Sequence, residues 1–308
     1  MSDIRTMTFK HSWFCLWRTV GALIVGSVLL AGCASLEQPA DRSERLTLTP
    51  ITASPTNVYH PGKFVWHDLL TPDVAAAMKF YGELFDWSFE QQGRYTVILN
   101  KGHQVGGMVE IKSEAGKEAE GLWLASMSVS NVDRATDYIK AQGGIVHKGP
   151  IDMEKRGRGV LISDPQGAQL ALLHAAGGDP ADAEPAIGDW LWNEIWSNVP
   201  QETLGFYQAL GEYDSSIEGN NYRILKSEGK WRAGIRHVFK EDLKIRWVPT
   251  VRVADPEAVT DKVENLGGVV WVRPGEPPSD GDIALISDNT GTLLMVQRWS
   301  TQSAAGGQ

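Results

Sequence analysis

The chain has 308 residues, 42% of them hydrophobic, with 38 acidic against 29 basic side chains for a formal net charge of −9. That acidity argues against nucleic acid and against electrostatic adhesion to anionic lipid headgroups. The two cysteines, Cys15 and Cys33, are too few for a disulfide framework.

In chain order, the first element is an export signal. Arg5, Lys10 and Arg18 precede an apolar run over residues 19–30, which closes on Leu30-Ala31-Gly32-Cys33. The run is shorter than the ~20 residues that span a bilayer, and a basic start with a small-residue cleavage site describes a leader. These four residues resemble the bacterial lipobox, whose cysteine is lipidated and becomes the new N-terminus. The resemblance implies a signal peptide over 1–32, lipidation at Cys33 and a mature protein anchored in the cell envelope. Ala34 rather than Asp follows, which implies the outer membrane, facing the periplasm. An uncleaved signal anchor, or a short N-terminal helix with Cys33 in its core, is the alternative.

Removing residues 1–32, which carry Arg5, Lys10 and Arg18 against Asp3 and so a net +2, takes the charge from −9 to −11. It also removes Cys15, and lipidation uses Cys33, so no thiol remains for a metal site or a nucleophile. Residues 33–61, with Pro39, Pro50, Pro55 and Pro61 and no sustained periodicity, predict a flexible tether. The tail over 300–308 predicts a disordered end.

The rest duplicates itself. Phe64-Val65-Trp66-His67-Asp68 aligns without a gap on Trp190-Leu191-Trp192-Asn193-Glu194, and Phe80-Tyr81 falls on Phe206-Tyr207. A second pair starts at Trp123 and Trp247, with Leu161-Ile162-Ser163-Asp164 falling on Leu285-Ile286-Ser287-Asp288. The order is therefore A, B, A′, B′, with a unit of roughly 60 residues. Each unit opens on an alternating strand; in A, Phe64, Trp66, Asp68 and Leu70 share one face and Val65, His67 and Leu69 the other. A helix follows, with Ala76, Phe80 and Leu84, and Ala77 and Tyr81, at helical spacing. In unit B, Asn131 and Asp133 mark the helix start and Gly143-Gly144 the stop. Three strands close unit B, over 145–148, 159–162 and 169–173, the last two joined by an Asp164-Pro165-Gln166-Gly167 turn. Each unit reads βαβββ, an α+β fold.

That order, with Phe80-Tyr81 through Leu84-Phe85-Asp86-Trp87 and the Asp164-Pro165-Gln166-Gly167 turn, resembles the vicinal oxygen chelate superfamily of glyoxalases, bleomycin-resistance proteins and extradiol dioxygenases. The resemblance implies two glyoxalase-like domains, 62–178 (units 62–112 and 121–176) and 188–299 (units 188–238 and 246–299), with sheets curled into cups and helices outside. Enzymes of this superfamily hold a divalent metal in the cup, with His and Glu on the first and last strand of each unit. Here those positions fall on Trp66, Leu124, Ala171 and Gly107 or Met108 in the first domain, and on Trp192, Val248, Met295 and Ala233 or Gly234 in the second. None offers the oxygen or imidazole such cations need. No cofactor is expected; a metal in another register, drawing on His67, His103, His147, His174, His237, Asp68, Glu110 or Glu194, is the alternative. His67 lies on the strand face opposite Trp66 and is expected to pack toward the helix.

The cup faces are aromatic instead. Candidate ligand-binding residues are Trp66, Asp68, Trp123, Trp192, Glu194, Trp196 and Trp247, with an acidic residue between rings at the same place in both domains. If these line the cups, each is an apolar pocket with one anionic group, suited to a flat or cationic molecule. Otherwise the rings fill the cups and the acids cap backbone. The resulting expectation is a lipid-anchored, non-catalytic binder of a small planar or aromatic molecule. A metal-dependent lyase or dioxygenase with displaced ligands, and a structural or interaction module of the envelope, are the alternatives.

Overall fold

The computed structural model describes residues 48–112, 119–219, 221–239, 244–277 and 281–299. The signal peptide, Cys33, the 33–47 part of the tether and the tail lie outside the described residues. Unit A comprises β1 (Phe64–Thr71), α1 (Val74–Phe85), β2 (Trp87–Gln92), β3 (Tyr95–Asn100) and β4 (His103–Glu110). Unit B comprises β5 (Leu122–Ser128), α2 (Val132–Ala141), β6 (Ile145–Met153), β7 (Gly157–Ser163) and β8 (Gln169–Ala175). The second domain repeats this with β9 (Trp190–Ser197), α3 (Pro200–Leu210), β10 (Ser215–Glu218), β11 (Tyr222–Ser227) and β12 (Lys230–His237). It ends with β13 (Arg246–Arg252), α4 (Pro256–Val263), β14 (Val269–Val272), β15 (Ile283–Ser287) and β16 (Leu293–Gln297).

Local chemistry sets the helix ends. The Asp73 carboxylate accepts from the Ala76 N–H at 2.9 Å, and the Asn131 side chain does the same for Arg134, so each satisfies an orphan donor of the first turn. Past α2, Gly143 takes φ +83, a conformation that costs little only for glycine. Gly144 follows where a Cβ would come within 2.8 Å of the Ser163 carbonyl oxygen.

Each domain is one eight-stranded mixed sheet, ordered β2-β3-β4-β1-β5-β8-β7-β6 and β10-β11-β12-β9-β13-β16-β15-β14. Within units, β1 runs parallel to β4 with Asp68 opposite Gly107, and β9 parallel to β12 with Glu194 opposite Gly234. Units join at antiparallel β1–β5 and β9–β13 pairs, so A pairs with B and A′ with B′.

The helix-bearing faces of the two sheets pack against each other. One core joins Ile139 of α2 and Leu170 of β8 to Tyr207 and Leu210 of α3 and Ile235 of β12. The other joins Phe80, Tyr81 and Leu84 of α1 to Val259 and Val263 of α4 and Ile286 of β15. Each core therefore belongs to both domains, B with A′ and A with B′. At roughly 1.5–3 kcal/mol per large apolar side chain buried, this shared layer dominates the stability. The opposite, concave faces carry only small clusters.

Two expectations are corrected. Residues 48–61, expected as the end of a flexible tether, are packed on the first domain: Ile51 is 6% exposed, and the Thr56 and Asn57 N–H groups both donate to the Gly177 carbonyl at 2.8 Å. Phe64 and Trp190 also leave the faces assigned to them. Phe64 and Trp66 oppose the adjacent residues Met127 and Ser126, and Trp190 and Trp192 oppose Val251 and Thr250. The extra residue in β1 and in β9 is a bulge, which reverses the facing of everything before it.

Candidate functional site

The repeated motifs meet between the domains. Trp123 Nε1 donates to the Tyr81 hydroxyl at 3.0 Å, and Tyr81 donates to Asp288 Oδ2 at 2.9 Å. The same chain recurs as Trp247 to Tyr207 at 3.0 Å and Tyr207 to Asp164 Oδ2 at 2.8 Å. The other oxygen of Asp164 accepts the Gln166 and Ala168 N–H groups, and that of Asp288 the Thr290 and Thr292 N–H groups. Burial, then the neighbouring aspartate, raises both tyrosine pKa values well above the ordinary phenol. Trp123 and Trp247, expected in the cups, are thus anchors of the inter-domain layer. Trp123 lies opposite Leu69, and Trp247 opposite Ile195, on the helix-facing side of each sheet.

His67 packs on that side too, as expected. Its Nε2 is 2.9 Å from Asn193 Oδ1, and its ring stacks on Trp190 at 4.0 Å. Burial lowers its pKa to about 4, against the smaller opposing effect of the Asn193 hydrogen bond.

The first cup holds a buried cluster. Asp68 Oδ1 accepts from the Tyr95 hydroxyl at 2.5 Å and from Trp66 Nε1 at 3.0 Å. Arg156, from the turn between β6 and β7, donates from Nη2 to the Tyr95 hydroxyl at 3.0 Å. Its Nη1 lies 3.8 Å from Asp68 Oδ2, and its guanidinium sits 4.4 Å from the Trp66 ring centroid. The remaining direction, Nε, is taken by the Thr49 carbonyl at 2.6 Å. Ile51 packs against Val65, Trp66 and Leu173, and Leu48 against Tyr95, Val97 and Leu99. With the Arg156 side chain 3% exposed, this cup is sealed by the chain itself.

The second cup has the same four kinds of group. Trp192 Nε1 donates to the Tyr222 hydroxyl at 2.5 Å, and Trp196 Nε1 to Glu194 Oε1 at 2.7 Å. Arg236, on β12 rather than a turn, donates from Nε to Glu194 Oε1 at 2.5 Å and from Nη2 to Oε2 at 2.8 Å. Its guanidinium lies 4.9 Å from the Tyr222 ring centroid. Burial opposes the arginine's charge, but Glu194 holds its pKa above the ordinary value. In each cup a glycine makes room for the phenol: a Cβ on Gly107 would lie 1.9 Å from the Tyr95 oxygen, and one on Gly234 2.0 Å from that of Tyr222. The second cup differs in being open. Trp192 and Tyr222 are half-buried, the Arg236 side chain is 38% exposed, and Ile283, Leu285 and Leu293 form an incompletely covered wall. Below them the hydroxyl of Thr250, opposite Trp192 on β13, is buried without a hydrogen-bond partner.

Of the predicted site residues, Trp66 and Asp68 therefore lie in the first cup and Trp192, Glu194 and Trp196 in the second. The expected anionic character is corrected, because each carboxylate faces an arginine. A paired carboxylate no longer selects for a cation, and the exposed part of Arg236 favours an oxygen acceptor. Sequence reasoning missed both arginines and both tyrosines. Arg236 could have been found as a cation on the inward face of β12; Arg156 sits in a turn whose counterpart in the second domain carries no similar signal.

The donor set does not fit a divalent metal. The inward last-strand positions of units A and A′ are Gly107 and Gly234, whereas Met108 and Ala233 lie in the inter-domain cores. Among the described residues, no group of three or more His, Cys, Asp or Glu side chains is placed to hold an ion. His147 binds Ser163 Oγ at 2.7 Å, His174 stacks on Tyr59 at 4.2 Å, and His103 pairs with Asp189 at 2.7 Å, all apart from the carboxylates of the cups.

A family model described as the Glyoxalase/Bleomycin resistance protein/Dioxygenase superfamily matches residues 63–172. The "Putative glyoxylase CFP32" of Mycobacterium tuberculosis is 30% identical over 254 residues, 79% of this chain and 97% of that protein. The anthracycline biosynthesis protein DnrV of Streptomyces peucetius is 25% identical, over 81% of this chain and 98% of its own. Among solved structures, the Mn(II)-bound glyoxalase of Novosphingobium aromaticivorans matches with TM-score 0.55 at 13% identity, covering 78% of this chain and 83% of that one. A homoprotocatechuate 2,3-dioxygenase variant from B. fuscum matches with TM-score 0.56 at 11% identity, covering 82% and 74%. At these identities the structural likeness is one of fold.

Proposed function

The chain belongs to the Glyoxalase/Bleomycin resistance protein/Dioxygenase superfamily, and from that premise we propose that it is a lipid-anchored envelope protein whose second cup binds a small planar molecule without catalysis. The observation that carries this reading is the contrast in closure: the indole, phenol and arginine are buried in the first cup, as Trp66, Tyr95 and Arg156, but partly exposed in the second, as Trp192, Tyr222 and Arg236. The ligand's flat body lies against Trp192 and Tyr222, and a carbonyl or carboxylate oxygen meets the exposed edge of Arg236. The misfit of both cups to a metal supports binding over lyase or dioxygenase chemistry.

Anchoring rests on the sequence ahead of the described residues. Acyl chains on Cys33 contribute about 0.8 kcal/mol per buried CH₂, enough for several chains to hold the protein at a membrane. Labelled palmitate incorporated by the native chain and absent from Cys33→Ser supports it; equal labelling of both refutes it. For the cup, fluorescence titration with planar aromatic carboxylates and quinones should saturate with the native chain and weaken at least tenfold, about 1.4 kcal/mol, in Arg236→Met and Trp192→Ala. Stoichiometric metal retained through dialysis would overturn the non-catalytic reading.

A further inference from the structure

The first cup is closed by a piece of chain that bears the marks of a replaceable occupant. Residues 48–51 enter it as irregular backbone, and among the described residues no backbone–backbone hydrogen bond reaches them. What holds them is the Arg156 hydrogen bond to the Thr49 carbonyl and the burial of Leu48 and Ile51. The fit is incomplete, because the buried Thr49 hydroxyl has no partner. Residues 53–55 that follow are exposed, and the chain is fastened again only at 56–60. There Val58 accepts from the Asp179 N–H at 2.7 Å and the His60 N–H donates to Asp179 Oδ2 at 2.7 Å. The strap can therefore leave without unfastening the clamp behind it.

We propose that the first cup is a second ligand site, kept shut by residues 48–51 acting as an internal competitor, and that its ligand is an apolar or aromatic molecule carrying a carbonyl or carboxylate oxygen. That oxygen replaces the Thr49 carbonyl on Arg156 Nε, and the apolar body replaces Ile51 over Trp66. Strap and ligand exclude each other, so occupancy frees residues 48–55 and lengthens the chain ahead of the clamp by up to ~3.3–3.6 Å per residue. This site is separate from the second cup and does not depend on ligand binding there.

The test uses the full chain carrying Trp192→Ala, which removes the aromatic wall of the second cup, and 2-naphthoate as probe in equilibrium dialysis. Adding Ile51→Asp, which places a charge in the apolar plug, should raise bound naphthoate by about one equivalent, and adding Arg156→Met should abolish that gain. Leu48→Gly with Ile51→Gly loosens the strap without a charge and should give the same gain. Thiol labelling of Thr49→Cys, a position 6% exposed under the closed strap, reports release of the strap in either variant. No added equivalent on release overturns the proposal, as does a gain that survives Arg156→Met. Unchanged labelling in both variants overturns it too, because a competitor held by these few contacts must yield to their loss.

Discussion

The two cups are built from one recipe and finished differently. Each places a carboxylate on its first strand, an indole two residues before it, a phenol over a glycine, and an arginine. In the first, Arg156 is 3% exposed and three elements converge on it; in the second, Arg236 is 38% exposed and, among the described residues, its guanidinium hydrogen-bonds to Glu194 alone. Duplication preserved the floor of the cup while the wall was free to change. The acid, the indole and the phenol belong to that floor, whereas the arginine enters from the β6–β7 turn in one cup and from β12 in the other.

The contrast is broken most directly by truncating the two equivalent indoles. Trp66→Ala should cost about 4 kcal/mol, because a fully enclosed ring leaves a cavity and Arg156 loses the face it lies on. Trp192→Ala should cost only about 1–2 kcal/mol, since water already reaches that ring. Urea midpoints of the two variants decide the matter, and equal losses would mean that the second cup is as closed as the first.

The inter-domain layer should show no such asymmetry. Asp164→Ala and Asp288→Ala each strand a buried tyrosine hydroxyl and two backbone N–H groups, at a cost of about 3 kcal/mol apiece. Both should also remove cooperativity between the domains, because each joins one domain's helix to the other's turn. A difference of more than about 1 kcal/mol between them would limit the twofold likeness to geometry.

The repeats explain what was legible in the sequence. Gapless alignment of β1 on β9, and of the Ser163-Asp164 and Ser287-Asp288 turns, carries the βαβββ unit and its order, while the pairing of units comes from the β1–β5 and β9–β13 ladders alone. The helix caps at Asp73 and Asn131 are local chemistry and could be read directly. The bulge could not: one extra residue leaves the alternation of Phe64, Trp66 and Asp68 intact on paper while reversing Phe64 in space. Trp123 and Trp247 were misplaced because either face of a strand buried on both sides accepts an indole, and only its partner, Tyr81 or Tyr207, decides. Residues 48–51 have no periodicity because a strap fastened by an arginine and two apolar side chains needs none.

A smaller effect separates the layer from the cups by pH. His67 has a pKa near 4 in the folded chain against 6.5 when unfolded, so the folded state resists its protonation. The stability this contributes is complete above pH 6.5 and is lost as pH falls toward 4. The loss amounts to about 2 kcal/mol at pH 5 and about 3 kcal/mol below pH 4. His67→Gln should flatten this part of the stability–pH curve, measured by urea unfolding. Persistence of the slope would mean that His67 does not set it.

The smallest expected effect bears on the open cup alone. Thr250 is 1% exposed, and its hydroxyl is buried without a partner on the strand beside Trp192. Removing a hydroxyl that makes no hydrogen bond relieves a desolvation cost, so Thr250→Val should stabilise the free protein by about 0.5–1 kcal/mol. A buried polar atom without a partner calls for an explanation, and a ligand that completes it is one. If the second cup's ligand reaches this hydroxyl, the same variant should bind its planar probe more weakly while melting higher, a divergence that packing alone does not produce. If affinity and stability rise together, the hydroxyl serves no ligand, and recognition falls to Arg236, Trp192 and Tyr222.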